Sequence, residues 1–190
     1  FLNAEFEYGK LLVNPAVRLD YLNGNYKDAL SPIYGSKSVA EVLASPKLNL
    51  IYNPNRNLQY FLKTGYGFHS NDTRVVLGQS GRNFLPRALG VDLGAIWKPT
   101  PRLITELALW NLDLEQEFVY VGDEGIVEPS GRTKRSGLDL GIRYQMKNWL
   151  FADADWTYTY ARSIDEPEGE QHIPLAPIHT FSGGISVQKD

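Results

Sequence analysis

The residues of this chain with the chemistry to bind a metal or move a proton are few. There are three histidines, His69, His172 and His179. Asp165, Glu166, Glu168 and Glu170 precede His172, but their spacing matches no metal-ligand pattern, and an acidic segment of this kind is ordinarily a solvated loop. Gly122-Asp123-Glu124-Gly125 looks like half a calcium loop, yet it lacks the alternating oxygen ligands and the terminal Glu at the needed distance. Asp153 and Asp155 stand two apart, as a pair of carboxylates for acid and base work would. The same pair also suits the lining of a wet channel. No Ser stands in a Gly-x-Ser-x-Gly elbow; Ser80 directly precedes Gly81. With no cysteine there is no thiolate ligand, no Cys nucleophile and no disulfide. The sequence thus predicts no catalytic site, no metal site, no cofactor and no enzyme.

Binding residues remain, and their meaning depends on the elements that carry them. The strongest pattern is period-two alternation. Leu89, Val91, Leu93, Ala95 and Trp97 alternate with Gly90, Asp92 and Gly94, with Ile96 the exception. Leu138, Leu140, Ile142, Tyr144 and Met146 oppose Asp139, Gly141, Arg143 and Gln145. Successive strand side chains point to opposite faces, so each segment has one greasy and one wet face. Nine strands are predicted, at 1–8, 12–26, 45–53, 58–70, 88–99, 103–120, 133–146, 150–161 and 178–187. In 103–120 the apolar parity changes near Trp110 to Leu114, which suggests a bulge; the spacing of Leu103, Leu107, Trp110 and Leu114 also fits an amphipathic helix.

The connections alternate as regularly as the residues. Gly9-Lys10-Leu11, Asn53 to Asn57, Thr100-Pro101-Arg102 and Lys147-Asn148-Trp149 are short turns rich in Gly, Pro and Asn. Between them fall long polar connections at 27–44, 71–87, 121–132 and 162–177. In the first of these, Ser38 and Glu41 have capping-box spacing, and Pro46 would end a short helical turn. Short turns at one rim and long loops at the other are the habit of an outer-membrane barrel. A mean hydropathy of −0.31 fits, because alternating strands average to a soluble-looking value. Trp97 and Trp149 beside short turns, and Tyr66, Phe68, Tyr158 and Tyr160 near the far strand ends, match interfacial aromatics. The rival assignment puts those aromatics in the core of a soluble module.

The expected fold is therefore all-β: an antiparallel up-and-down transmembrane β-barrel, here an open piece of about nine strands. Nine strands with two edges do not close in lipid, where an unpaired edge is forbidden. Residues 1–190 read as part of one barrel domain whose remaining strands lie outside the chain, and Phe1 to Phe6 does not read as a signal peptide. Outer-membrane lipid is the expected surrounding. The formal charge of −3, without a basic stripe, predicts no nucleic-acid partner. Ligand contacts are expected from the outer rim, at His69, Asn71, Asp72, Arg74, Arg82 and Arg87.

Several runs resemble TonB-dependent receptors. One is Tyr66-Gly67-Phe68-His69-Ser70-Asn71-Asp72 followed by Arg74. A second runs from Ala108-Leu109-Trp110 through Glu115, Glu117, Gly122-Asp123, Gly125, Ser130-Gly131 and Arg135-Ser136-Gly137 to Arg143-Tyr144. A third joins Ala161-Arg162 to Ile173-Pro174-Leu175-Ala176-Pro177 and Gly183-Gly184. The resemblance covers about 45 to 187 and lies in order and spacing. It implies a plugged barrel of about 22 strands in the bacterial outer membrane. It also implies active uptake of a scarce, siderophore-like metal chelate, powered through TonB. The plug, the TonB-contacting segment and a C-terminal aromatic strand have no counterpart in these residues. A passive porin and a soluble β-rich binding module are the alternatives; a plug sequence would exclude the first, detergent-free solubility would favour the second.

Overall fold

A computed structural model of the chain describes residues 1–28, 35–71, 76–77, 83–121 and 126–188. Its strands are β1 (Leu2–Asn3), β2 (Phe6–Tyr8), β3 (Leu11–Asp28), β4 (Gly35–Asn55), β5 (Leu58–Phe68), β6 (Arg87–Thr100), β7 (Leu103–Val121), β8 (Ile126–Lys147), β9 (Leu150–Ser163) and β10 (His179–Val187). All pair antiparallel in one sheet, and from β3 onward each strand pairs with the next. The sheet is open, with β1 and β2 along one edge and β10 at the other. This is the expected up-and-down order. Among the described residues no second sheet lies across it, so the two-sheet sandwich of the soluble alternative is absent.

The first predicted strand is two short ones, and Pro15 explains the break. Both β1 and β2 pair with β3 in one register. Between them Ala4 N donates to Pro15 O at 3.0 Å, but Pro15 has no N–H to return. The Asn14 side chain replaces it, its Nδ2 donating to Ala4 O at 2.8 Å. A carbonyl that the ladder would leave unpaired is thereby satisfied.

One rim consists of tight turns. Gly9, at φ 62°, takes the first central position between β2 and β3, where a type II′ hairpin turn needs a positive φ. The next three turns share another device: the register shifts between Tyr52 and Asn55, between Trp97 and Thr100, and between Gln145 and Lys147. Pro54 and Pro99 fall inside two of these bulges, where a residue without an N–H costs the ladder nothing. Each turn is tied to its neighbour: Asn53 N donates to Lys10 O, Lys98 N to Asn57 O, Gln145 N to Arg102 O and Gln188 N to Trp149 O, all within 2.9 Å.

The other rim departs from expectation. Residues 27–44 were expected as a loop with a helical turn at Ser38 to Ala44. Instead β3 and β4 pair without interruption from Leu11↔Tyr52 to Asp28↔Gly35. The local capping signal loses to a full ladder rich in β-branched residues such as Val39 and Val42. Likewise most of 121–132 is paired strand, since β8 begins at Ile126. These two hairpins rise above their neighbours: β4 leaves β5 after Lys47↔Gly65, next to Pro46, yet continues on β3. The helical alternative for 103–120 is also excluded. The bulge in β7 lies later than expected, between Leu114 and Phe118; Leu103 to Leu114 keep one register with β8, and Trp110 simply faces inward.

The register sorts the side chains into two faces, because directly opposed residues share a side. One face carries Val13, Leu50, Leu62, Leu93, Leu109, Leu138 and Tyr158 in one continuous row. It is uncovered: Leu93 is 55% exposed and Phe181 74%. Tyr8, Tyr52, Tyr60, Trp97 and Tyr144 on this face lie toward the tight turns, and Tyr21, Tyr66, Tyr158 and Tyr160 toward the other rim; between them the residues are mostly aliphatic, with Trp156 and Phe181 the outward aromatics of β9 and β10. Leu150 to Tyr160 is ten steps. At about 3.3 Å each and a tilt of about 40°, this gives a height of about 25 Å, that of the apolar band of a membrane barrel.

Candidate functional site

The opposite face is the polar one. One row across it reads Leu12, Ile51, Phe61, Gly94, Ala108, Asp139, Thr157 and Thr180, apolar at one side and polar at the other. Phe61 is buried with its ring edge against Gly94, where any Cβ would collide with that ring and with the Leu107 carbonyl. Trp110 covers Gly137 in the same way. Lys63 stands over the Phe61 ring, its Nζ 4.4 Å from the centroid. Asn49 Nδ2 donates to Asn14 Oδ1 at 3.3 Å, and Asn14 Nδ2 to Asn3 Oδ1 at 2.9 Å. Trp110 Nε1 and Asp139 Oδ1 are buried without a hydrogen-bond partner among the described residues.

The carboxylate pair singled out from the sequence sits on this face. Arg143 holds Asp155 with two nitrogens, Nη1 at 2.9 Å from Oδ1 and Nη2 at 3.0 Å from Oδ2. Asp153 is directly opposite Arg143. A carboxylate bound in this fork is a structural anion. Among the described residues no group of three His, Cys, Asp or Glu side chains is placed to hold a metal. Gly122 to Gly125 and Ser80 lie outside the described residues.

At the rim away from the tight turns, two clasps hold the connections. In the first, His69 N donates to Pro86 O at 3.1 Å and Asn71 N to Phe84 O at 3.0 Å, while Asn71 Nδ2 reaches Asn83 O at 2.8 Å. Phe84 and Leu85 fold onto Leu43, with Leu22, Val39, Phe68 and Val76 around them. Lys37 Nζ donates to Leu77 O at 2.7 Å. In the second, Arg135 Nη2 meets both Glu117 oxygens, at 2.5 and 2.7 Å, and Thr133 Oγ1 donates to Glu117 Oε2 at 2.9 Å. Thr133 and Ser163 are buried there, and Ser163 N donates to Gln171 O at 2.9 Å. Arg132 N donates to Asp165 Oδ2 at 2.7 Å, against Gly131 at φ 70°.

Three of the six expected ligand residues are described. His69 and Arg87 are exposed at the two ends of the β5–β6 connection, where Arg87 N donates to Glu115 Oε2 at 2.9 Å. Asn71 is buried within the first clasp. Asp72, Arg74 and Arg82 lie outside the described residues. The second clasp was not foreseen. Glu117 and Arg135 are eighteen apart in the chain, and only the register of β7 on β8, displaced by the bulge, brings them together.

An open antiparallel sheet with an uncovered apolar band between two aromatic belts on one face, and polar residues on the other, is the wall of a transmembrane β-barrel. The family described as TonB dependent receptor-like, beta-barrel matches residues 1–188. The chain belongs to that family. No curated protein matches the sequence significantly. Among solved structures, the chain is similar to the ferric-catecholate import receptor Fiu from K12 E. coli, at TM-score 0.75 and 17% identity over 96% of this chain and 30% of that one. It is similar to the ferric citrate transporter FecA, at TM-score 0.78 and 18% identity over 94% and 28%. A third is the ferric yersiniabactin uptake receptor FyuA from Yersinia pestis, at TM-score 0.74 and 11% identity over 94% and 29%. The chain thus spans under a third of the length of these structures. At such identities the likeness is one of fold.

Proposed function

We propose that these residues form part of the wall of a larger, plugged barrel in the bacterial outer membrane, which takes up a scarce ligand such as a metal chelate with energy supplied through TonB. The observation that carries this reading is the inverted sheet: apolar rows outward and bare, polar rows inward. It supports lipid on one side and a filled aqueous lumen on the other. The family membership supports the receptor and transporter class over an enzyme. The solved neighbours named above carry ferric catecholate, ferric citrate and ferric yersiniabactin. Three cargos on one wall architecture support assigning cargo choice to the rim, with His69, Asn71, Asp72, Arg74, Arg82 and Arg87, all from the stretch 69–87 of the sequence, as the candidate contacts. Contact with TonB would belong to a region beyond these residues.

The test is uptake by whole cells. Cells dependent on the complete protein should accumulate radioactive iron from a ferric chelate only while the proton gradient is intact. Uptake that survives collapse of the gradient would indicate a passive channel instead. Topology is checked separately: a cysteine at Glu168 should react with an impermeant thiol reagent on intact cells, and one at Asn55 should not.

A further inference from the structure

We propose that the lumen side of the tight-turn rim holds a site for a small polycarboxylate anion, formed by Lys10, Arg56 and Lys98, at which an anionic chelate leaves the barrel. The inference rests on the transport reading above. Its first support is a charge pattern. Lys10, Arg56, Lys98, Arg102 and Lys147 lie in or beside the four tight turns, at 9–11, 53–57, 98–102 and 147–149, and no Asp or Glu does. The chain as a whole carries a charge of −3, so these turns run against its composition. Register decides which way the lysines face. Lys10 lies opposite Asn53 and Lys98 opposite Asn57, each one step beyond an outward pair, Leu11↔Tyr52 and Leu58↔Trp97. Both lysines therefore stand on the inward, polar face. Gln59 and Ile96 are the next inward pair.

The two lysines and Arg56 line one pocket, together with Asn53, Asn57 and Gln59. Its volume is about 390 Å³, within the range of about 300–1,000 Å³ for small-molecule sites. No carboxylate lines it. The carboxylates on adjoining inward rows are Glu7, in the row of Leu12 and Ile51, and Glu106, opposite Ile96. Neither forms an ion pair with the three cations. Lys10 Nζ donates to the Pro54 carbonyl at 2.6 Å, which draws it toward the second turn. The Arg56 and Lys98 side chains have no hydrogen-bond or ion-pair partner among the described residues. The amides are set to donate. Asn53 Oδ1 accepts from Gln59 Nε2 at 2.8 Å and Asn55 Oδ1 from Asn57 N at 2.9 Å, which leaves the Nδ2 of both asparagines open. A pocket of donors with three positive charges fits an acceptor-rich anion. Lipid does not reach the inward face, but a solute crossing the lumen does. Chelators of hard metal ions bind through carboxylates and other oxygens, and a complex with more carboxylates than its metal has charges remains an anion. With the tight turns on the periplasmic side, such a complex meets Lys10, Arg56 and Lys98 on its way out.

The test is isothermal titration calorimetry of the complete protein in neutral detergent at low salt. Citrate is the probe and its trimethyl ester the uncharged control. Citrate should bind and the ester should not. Each of K10Q, R56Q and K98Q should weaken binding about fivefold, and the triple variant about a hundredfold, while K98R should keep it within about twofold. All three side chains are exposed, and heat-modifiable migration on gels checks that each variant is folded; the single variants decide if the triple is not. Equal binding of citrate and ester, or equal binding by wild type and folded variants, overturns the proposal. So does inorganic phosphate that binds as tightly as citrate. Absent citrate binding with a lower melting temperature in the variants also overturns it, and assigns the cations to an acidic polypeptide segment in the lumen. Energised uptake of a ferric chelate without citrate binding removes this site alone. Citrate binding without such uptake upholds the anion site and removes the transport reading.

Discussion

Leu93 and Gly94 are neighbours in the chain and belong to two different surfaces. Leu93 faces outward in a row of leucines that no other part of the described chain covers. Gly94 faces inward against the ring edge of Phe61. The outward surface is constrained by its solvent: any apolar residue serves, because lipid has no fixed shape to complement. The inward surface is constrained residue by residue, by a ring on a glycine, an amide on a carbonyl or a guanidinium on a carboxylate. One wall thus obeys two rules, one of class and one of fit.

The widest gap between the rules should appear at two adjacent positions. Leu93→Arg, midway between the aromatic belts, should cost about 2–4 kcal/mol in a bilayer refolding titration. Asp92→Asn should stay within about 0.5 kcal/mol. Equal tolerance at both sites would end the assignment of faces. Fit is tested next by Gly137→Ala, whose added methyl meets Trp110 and the Tyr158 carbonyl; the expected cost is about 1–3 kcal/mol. Pairing it with Trp110→Ala should reveal a coupling of at least about 0.5 kcal/mol, and strict additivity would show that the ring is not the obstacle.

Two further variants probe the turn rim. Asn14→Leu should cost about 1–3 kcal/mol by stranding the Ala4 carbonyl. Gly9→Ala should cost about 1 kcal/mol, because its φ of 62° strains any residue with a Cβ. Both are read as shifts in urea midpoint of the refolded barrel. No change in either would mean that the turn rim is not held by the bonds described here.

The rule of class is what a sequence displays. Alternation at Leu89 to Trp97 and Leu138 to Met146 marks the outward rows without any knowledge of pairing, and Gly, Pro and Asn mark the turns. The rule of fit depends on which residues stand opposite, and that is set by register. The helical turn at Ser38 to Ala44 was expected because capping signals are local, while the ladder to β3 that overrides them is not. The Glu117–Arg135 clasp was hidden for the same reason, with a bulge adding to the offset. Of the rim residues the sequence pointed to, His69 and Arg87 lie where a ligand could reach them, whereas Asn71 is taken up in holding the connection closed.

Asn14 and Pro15 have a history written into their contact. While proline occupies position 15, the amide at position 14 supplies the donor that proline lacks, and losing it leaves the Ala4 oxygen stranded. Once position 15 has an N–H, the Ala4 oxygen no longer depends on the amide. The two substitutions are therefore not interchangeable in time. A lineage that relinquishes the proline first and the asparagine second gives up only the bonds of Asn14 to Asn3 and Asn49, whereas the reverse order also strands the Ala4 oxygen. Drift at this edge of the wall should run in one direction, and homologues that keep proline here should keep a side-chain donor beside it.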